Sequence, residues 1–184
     1  LWGVLARQIG TNNLPDCSNM CHESSGVALS ESIGIEKGTV KLSCFEKADL
    51  ILVIGQNPGT NHPRMLTALA ACKENGGSVV SINPLEETAM KRFKHPQNPL
   101  HLIGRGVQIA DEHLPVRIGG DAALLQGFAK TILSQGGADL DFISANTLGF
   151  EDWKKHIEST DWEKIVEQSG ISRDRIEKTG NAIA

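Results

Sequence analysis

Residues 48–84 narrow what this chain can fold into more than any other stretch. "ADLILVIGQNPG" is continuously apolar from Leu50 to Ile54 and is closed by the turn-formers Gly55, Asn57, Pro58 and Gly59, the pattern of a strand buried on both faces. "PRMLTALAACKENGG" then spaces Met65, Leu66, Leu69, Ala70 and Cys72 as an amphipathic helix does, with Pro63 just inside its start and Gly76-Gly77 past its end. "SVVSINP" is a second short apolar run, closed by Asn83-Pro84. Strand, helix and strand so closely joined make a βαβ unit with parallel strands, so a parallel α/β sheet is the predicted core.

The rest of the chain extends that unit. After "EETAMKRF" comes a stretch rich in Pro, Gly, His and Asn with neither the helix nor the strand period, which predicts an inserted loop over about residues 91–108. "DEHLPVRIGG" offers a short third strand, and Pro115 marks it as an edge or a strand end. "DAALLQGFAKTILSQGG" reads as a helix, with Asp121 at the N-cap position and Gly136-Gly137 at its C-terminal end. From Asp139 onward only short helical patterns follow, with Trp153, Ile157, Trp162, Ile165 and Val166 as their apolar faces. The expected organisation is a Rossmann-like parallel sheet flanked by helices over residues 1–138, and over 139–184 a helical cover packed on one edge of the sheet.

Composition excludes several function classes. A chain of 184 residues, 40% of them hydrophobic, is long enough for one core. Its net charge of -4 offers no basic surplus for a phosphate backbone, so nucleic acid is not an expected partner. The longest apolar run, "LILVIG", is too short to span a bilayer, and no signal peptide is visible at the N-terminus, so no membrane is expected. The four cysteines are unevenly placed, as in cytoplasmic proteins rather than disulfide scaffolds. A start at Leu1 and an end within a helical pattern read as a piece of a longer protein.

In an open parallel sheet, ligands bind where loops leave the carboxyl ends of the strands. "GQNPGTNHP" lacks the G-x-G-x-x-G spacing of a nicotinamide site, yet it joins a glycine at a strand end, a tight turn and the amides of Asn57 and Asn61. Those are the parts that approach a phosphate or sugar closely. "NPLEET" places Asn83 where a ribose-binding residue sits, and "GGD", Gly119 to Asp121, stands at a helix start. All three also read as efficient turns or caps.

"NNLPDCSNMCHESSG" puts Cys17, Cys21 and His22 within six residues. A structural zinc needs four ligands, and no fourth Cys or His stands at finger-like spacing. C-x3-C is one residue longer than the C-x-x-C redox motif. Two packing cysteines, a thiol switch between Cys17 and Cys21, and a reactive thiolate beside an imidazole stay open.

Taken in order, these stretches, with "IADEHLPVRIGGDAALLQGFA" and "GFEDWKKHIE", resemble the molybdopterin oxidoreductases, and within them the formate dehydrogenase alpha-subunit branch, including its members of unassigned substrate. The resemblance covers nearly the whole chain outside the insert. It implies a molybdenum or tungsten ion held between two molybdopterin guanine dinucleotides, in an enzyme that oxidises or reduces a small substrate by two electrons. Cys21 falls on the residue that ligates the metal and His22 on its catalytic neighbour, while Cys17 falls back to packing. Gly55, Asn57, Thr60 and Asn61 match the first dinucleotide loop, Asn83 and Pro84 the second, and Gly119 and Asp121 the third. His62 and Pro63 match as shapers of the first loop.

Two departures stand out. Asn83 replaces a common Asp, and Glu23 occupies the position of a glycine, which places a carboxylate near the metal and argues against formate itself. No four-cysteine motif is present, so any 4Fe-4S cluster would lie outside this stretch. The expected partners are a small-molecule substrate, the remaining domains of the same enzyme and an electron-transfer protein, and the fragment alone is expected to be inactive. A non-catalytic nucleotide-binding or assembly module is the alternative.

Overall fold

The structure is a computed structural model that describes every residue except 15, 98, 100–102 and 105. The chain forms two compact units, Leu1–Lys41 and Leu42–Ala184.

The first unit is helical. α1 (Trp2–Ile9) ends at Gly10, whose φ of 89° is the left-handed value that favours glycine. A π-helical turn, Ser18–His22, runs directly into α2 (Glu23–Ile33). The sequence does not announce α2, because "ESSGVALSESI" is rich in Ser and carries a Gly, both weak helix formers. Among the described residues of this unit only Ala6 is buried, so the unit has no core of its own.

The second unit holds the predicted sheet. After α3 (Leu42–Phe45) come β1 (Leu50–Ile54), α4 (Pro58–Asn61), α5 (Met65–Glu74), β2 (Ser78–Ile82), α6 (Thr88–Lys91) and β3 (Glu112–Leu114). The strands lie in the order β1-β2-β3, all parallel, with Leu50 opposite Ser78 and Ile82 opposite Leu114. Alternate residues of a strand face opposite sides, so an unbroken apolar run feeds two cores. Ile51, Val53 and Val79 pack with Leu66, Leu69, Met90 and Ile109 on one face. Val80, Ile82 and Leu114 pack with Leu124, Phe128, Ile165 and Ile176 on the other.

That second face is covered by α7 (Asp121–Ser134) together with α10 (Trp162–Ser169) and α11 (Arg173–Ile183). The tail thus covers a face of the sheet rather than its edge. α8 (Leu140–Asn146) and α9 (Phe150–Ser159) complete it, and Lys130 of α7 donates from Nζ to the carbonyls of Glu158 and Thr160 at 2.6 and 2.7 Å, where α9 ends.

Three details depart from expectation. Pro63 lies outside α5, whose N-cap is Arg64. Gly120, not Asp121, is the N-cap of α7, and Asp121 is the first helical residue. "GQNPGTNHP" is not all loop, since Pro58–Asn61 turns once as a helix with Pro58 at a position where its missing N–H costs nothing. β3 is an edge strand and Pro115 follows it directly, as its sequence predicts. The insert is closed at its neck by Phe93 and Val107, each donating its N–H to the other's carbonyl at 2.8 Å, and part of it lies outside the described residues.

Candidate functional site

Three turns leave the carboxyl ends of the three parallel strands. The first begins at Gly55, whose φ of 64° requires glycine and whose N–H donates to the Ile82 carbonyl at 2.9 Å. Asn57 caps α4: its Oδ1 accepts from the Thr60 N–H at 3.2 Å, and its Nδ2 donates to Oε2 of Glu87 at 2.7 Å. Gly59 lies so close to α6 that a Cβ there would overlap Ala89. Both ends of the Asn57 amide are therefore taken up in shaping the loop. The exposed side chains of Thr60 and Asn61 make no hydrogen bond to a described residue.

The second turn is tied to the first. Asn83 donates its N–H to the Leu114 carbonyl at 3.1 Å, and its Nδ2 reaches the Gln56 carbonyl at 3.4 Å, while Pro84 stays exposed. In the third, Gly119 has a φ of 82°, and the Gly120 N–H closes the turn on the Arg117 carbonyl at 2.8 Å. Gly120 is pressed against α10, where an added Cβ would come 2.5 Å from the Gln168 carbonyl. Asp121 follows in the first turn of α7, and its carboxylate takes no hydrogen bond among the described residues. His62 and Pro63 are exposed at the end of the first loop.

In the first unit, Cys21 and His22 sit in the π-turn and are both exposed. Single π-turns of this kind recur at functional sites, because the extra residue re-aims the side chains around it. Asp16 fixes its start, accepting through Oδ1 from the N–H groups of Ser18 and Asn19 at 2.9 and 3.3 Å. Asn19 in turn donates to Oε2 of Glu23 at 2.6 Å, so the carboxylate beside His22 is held in place. His22 and Glu23 line a hollow shared with Ser18, Asn19 and Lys37. Cys17 is exposed rather than packed, because a unit that buries only Ala6 among its described residues offers it no interior. All four cysteines are free, and Cys72 alone is buried, its Sγ donating to the Ala48 carbonyl at 3.3 Å. Burial is also the leading cause that raises the Cys72 pKa.

The family model for molybdopterin oxidoreductases matches residues 3–160. The chain belongs to the molybdopterin oxidoreductase family. Protein YdeP of Escherichia coli (strain K12) is 43% identical over 195 aligned residues, which take in 100% of this chain and 26% of YdeP. Formate dehydrogenase H of the same organism is 27% identical over 177 residues, 96% of this chain and 22% of that protein. Among solved structures, acetylene hydratase from Pelobacter acetylenicus superimposes with a TM-score of 0.68 at 23% identity, covering 98% of this chain and 22% of that one, a likeness of fold. The chain thus spans about a quarter of the length of these relatives.

The family implies a molybdenum–molybdopterin cofactor, and the turns of this molybdopterin oxidoreductase chain fit such a group. Positions 55 and 119 carry no Cβ and would meet nothing within 4 Å if they did, so the backbone there is open to close approach. Sequence reasoning missed that Glu87 anchors Asn57 and that Gly59 lies against α6, a closeness only the packing reveals. No helix among the described residues is long and apolar enough to cross a membrane.

Proposed function

We propose that this chain is the part of a formate dehydrogenase-like molybdenum or tungsten oxidoreductase that cradles one molybdopterin guanine dinucleotide and supplies the side-chain ligand of the metal. The observation that carries this reading is the convergence of the turns at Gly55, Asn83 and Gly119 on the carboxyl ends of three parallel strands. Gly55, Thr60 and Asn61 would meet the phosphates through backbone and side-chain donors, with Asn57 keeping their loop in shape. Asn83, Pro84, Gly119 and Asp121 would meet the guanosine, the uncommitted Asp121 carboxylate accepting from its ribose or base.

When bound, the metal group supplies two-electron redox chemistry to a small substrate. Cys21 would ligate it as a thiolate, the soft donor such a centre prefers. A ring nitrogen of His22 takes or gives the proton that accompanies the electrons. Glu23, fixed by Asn19, adds a negative charge next to His22 and disfavours the formate anion as substrate. The free cysteines suit the cytoplasm, where electrons would pass to a separate protein. The other domains of the enzyme supply the remaining cofactor contacts, so the 184-residue span alone is inactive.

The test is elemental analysis and pterin fluorescence of the full-length protein purified from cells that make the cofactor. Molybdenum or tungsten together with pterin is the expected result. A protein carrying neither would overturn the enzyme reading and leave the nucleotide-binding or assembly module.

A further inference from the structure

Cys17 has no place in the chemistry proposed above, yet it is exposed and stands at the N-cap of the π-turn that carries Cys21, four residues before it. The backbone between the two cysteines is helical. The Met20 N–H donates to the Asp16 carbonyl at 3.2 Å, and the Glu23 N–H closes the turn on the Ser18 carbonyl. Residues four apart in a helix share one face, with Cβ atoms about 5–6 Å apart. A disulfide holds them about 3.5–4.5 Å apart, so the sulfurs join once the turn tightens by about 1–2 Å.

Little resists that movement. Among the described residues of this unit only Ala6 is buried, so no packed side chain has to be displaced. The bonds that hold the turn are polar and exposed: Asp16 accepts from the Ser18 and Asn19 N–H groups, and Asn19 donates to Glu23. Of the four free cysteines, Cys17 and Cys21 alone share a turn, whereas Cys44 and buried Cys72 belong to the second unit.

We propose that, while no metal is bound, Cys17 and Cys21 form a reversible disulfide that keeps the Cys21 sulfur from irreversible oxidation. A peroxide takes one thiol to a sulfenic acid and leaves as water, and the neighbouring thiol condenses with that acid to give the S–S bond and a second water. The two thiols lose two hydrogens and two electrons, and the one peroxide becomes two waters. A small dithiol restores both thiols by exchange. With no thiol nearby, a sulfenic acid goes on to sulfinic and sulfonic acids, which thiols do not reverse and which no longer offer a soft donor. The protective role rests on reading Cys21 as the metal ligand, while the bridge itself rests on the turn alone.

The experiment exposes the full-length protein, made in cells with and without the cofactor, to hydrogen peroxide. Trypsin cutting after Arg7 and Lys37 releases residues 8–37, whose only cysteines are Cys17 and Cys21. In the metal-free wild type this peptide is expected to lose two hydrogens by mass spectrometry, to escape iodoacetamide, and to be alkylated at both cysteines after dithiothreitol. Cys17→Ser should instead accumulate at Cys21 a sulfinic acid that dithiothreitol does not reverse, and Cys44→Ser should behave as wild type. With the metal bound, the bridge should not form. A metal-free wild type whose peptide is still alkylated at both cysteines after peroxide, or one in which Cys21 is overoxidised as fast as in Cys17→Ser, overturns the proposal. A bridge that forms undiminished in the metal-loaded protein removes Cys21 as the ligand and the protective role with it.

Discussion

Glu23 and Glu112 are carboxylates with opposite duties. Glu23 is held by Asn19 next to His22, where its charge opposes that of an anion approaching the same hollow. In the full-length protein Glu23→Gln is expected to tighten binding of azide, used as a small anionic probe, by about threefold, the effect of one screened charge at short range; an unchanged dissociation constant would remove Glu23 from anion discrimination. Glu112 is structural. Hydrogen bonds from Lys178 and then Arg175 hold its carboxyl below the usual range, and Arg175 also donates to the His113 carbonyl, which ties α11 to β3. A carboxylate with a lowered folded pKa contributes stability that is fully present above its unfolded value and is lost as pH falls through the folded one. Glu112→Gln should therefore cost about 1 kcal/mol near neutral pH, and denaturant titrations of wild type and variant should converge as the pH drops below about 4.

At the scale of elements, the sheet and its turns are legible in the sequence because period and punctuation are local signals. The apolar runs of β1 and β2, the Pro115 stop after β3 and the helical tail all read directly. The cap of α7 reads one position late, at Asp121, because Gly and Asp are both good caps, and only the close approach of Gly120 to α10 decides between them. α2 is hidden because its Ser-rich sequence has no strong propensity. The pairing of α7 with α11 is hidden as well, since it rests on bare glycine faces. A Cβ on Gly180 would lie 2.7 Å from Cβ of buried Thr131, whereas one on Gly26 in α2 would meet nothing nearer than 3.9 Å. Gly180→Ala is thus expected to lose about 1 kcal/mol or more despite the better helix propensity of alanine, and Gly26→Ala to gain up to about 1 kcal/mol. Chemical denaturation of the two variants side by side checks both signs.

For the whole molecule, the two units are of unlike character. The strand-end loops stand on a sheet with a core on each face, and a strand end followed by a turn is a local pattern, which is why the three turns are legible in the sequence alone. Cys21 and His22 stand on a unit whose Trp2, Val4, Ile9, Met20 and Ile33 are exposed, and no spacing in the sequence separates a metal ligand from a packing cysteine there. The same imbalance predicts that a synthetic peptide of residues 1–41 is mostly coil by circular dichroism, because short helices without a packed face are marginal in water; a cooperative helical melt would contradict it. The central claim is that Cys21 ligates the metal, and X-ray absorption at the molybdenum or tungsten edge of the full-length protein tests it most directly. Cys21→Ser should replace one sulfur neighbour of the metal by a lighter atom relative to wild type, and spectra that superimpose would contradict the assignment of Cys21.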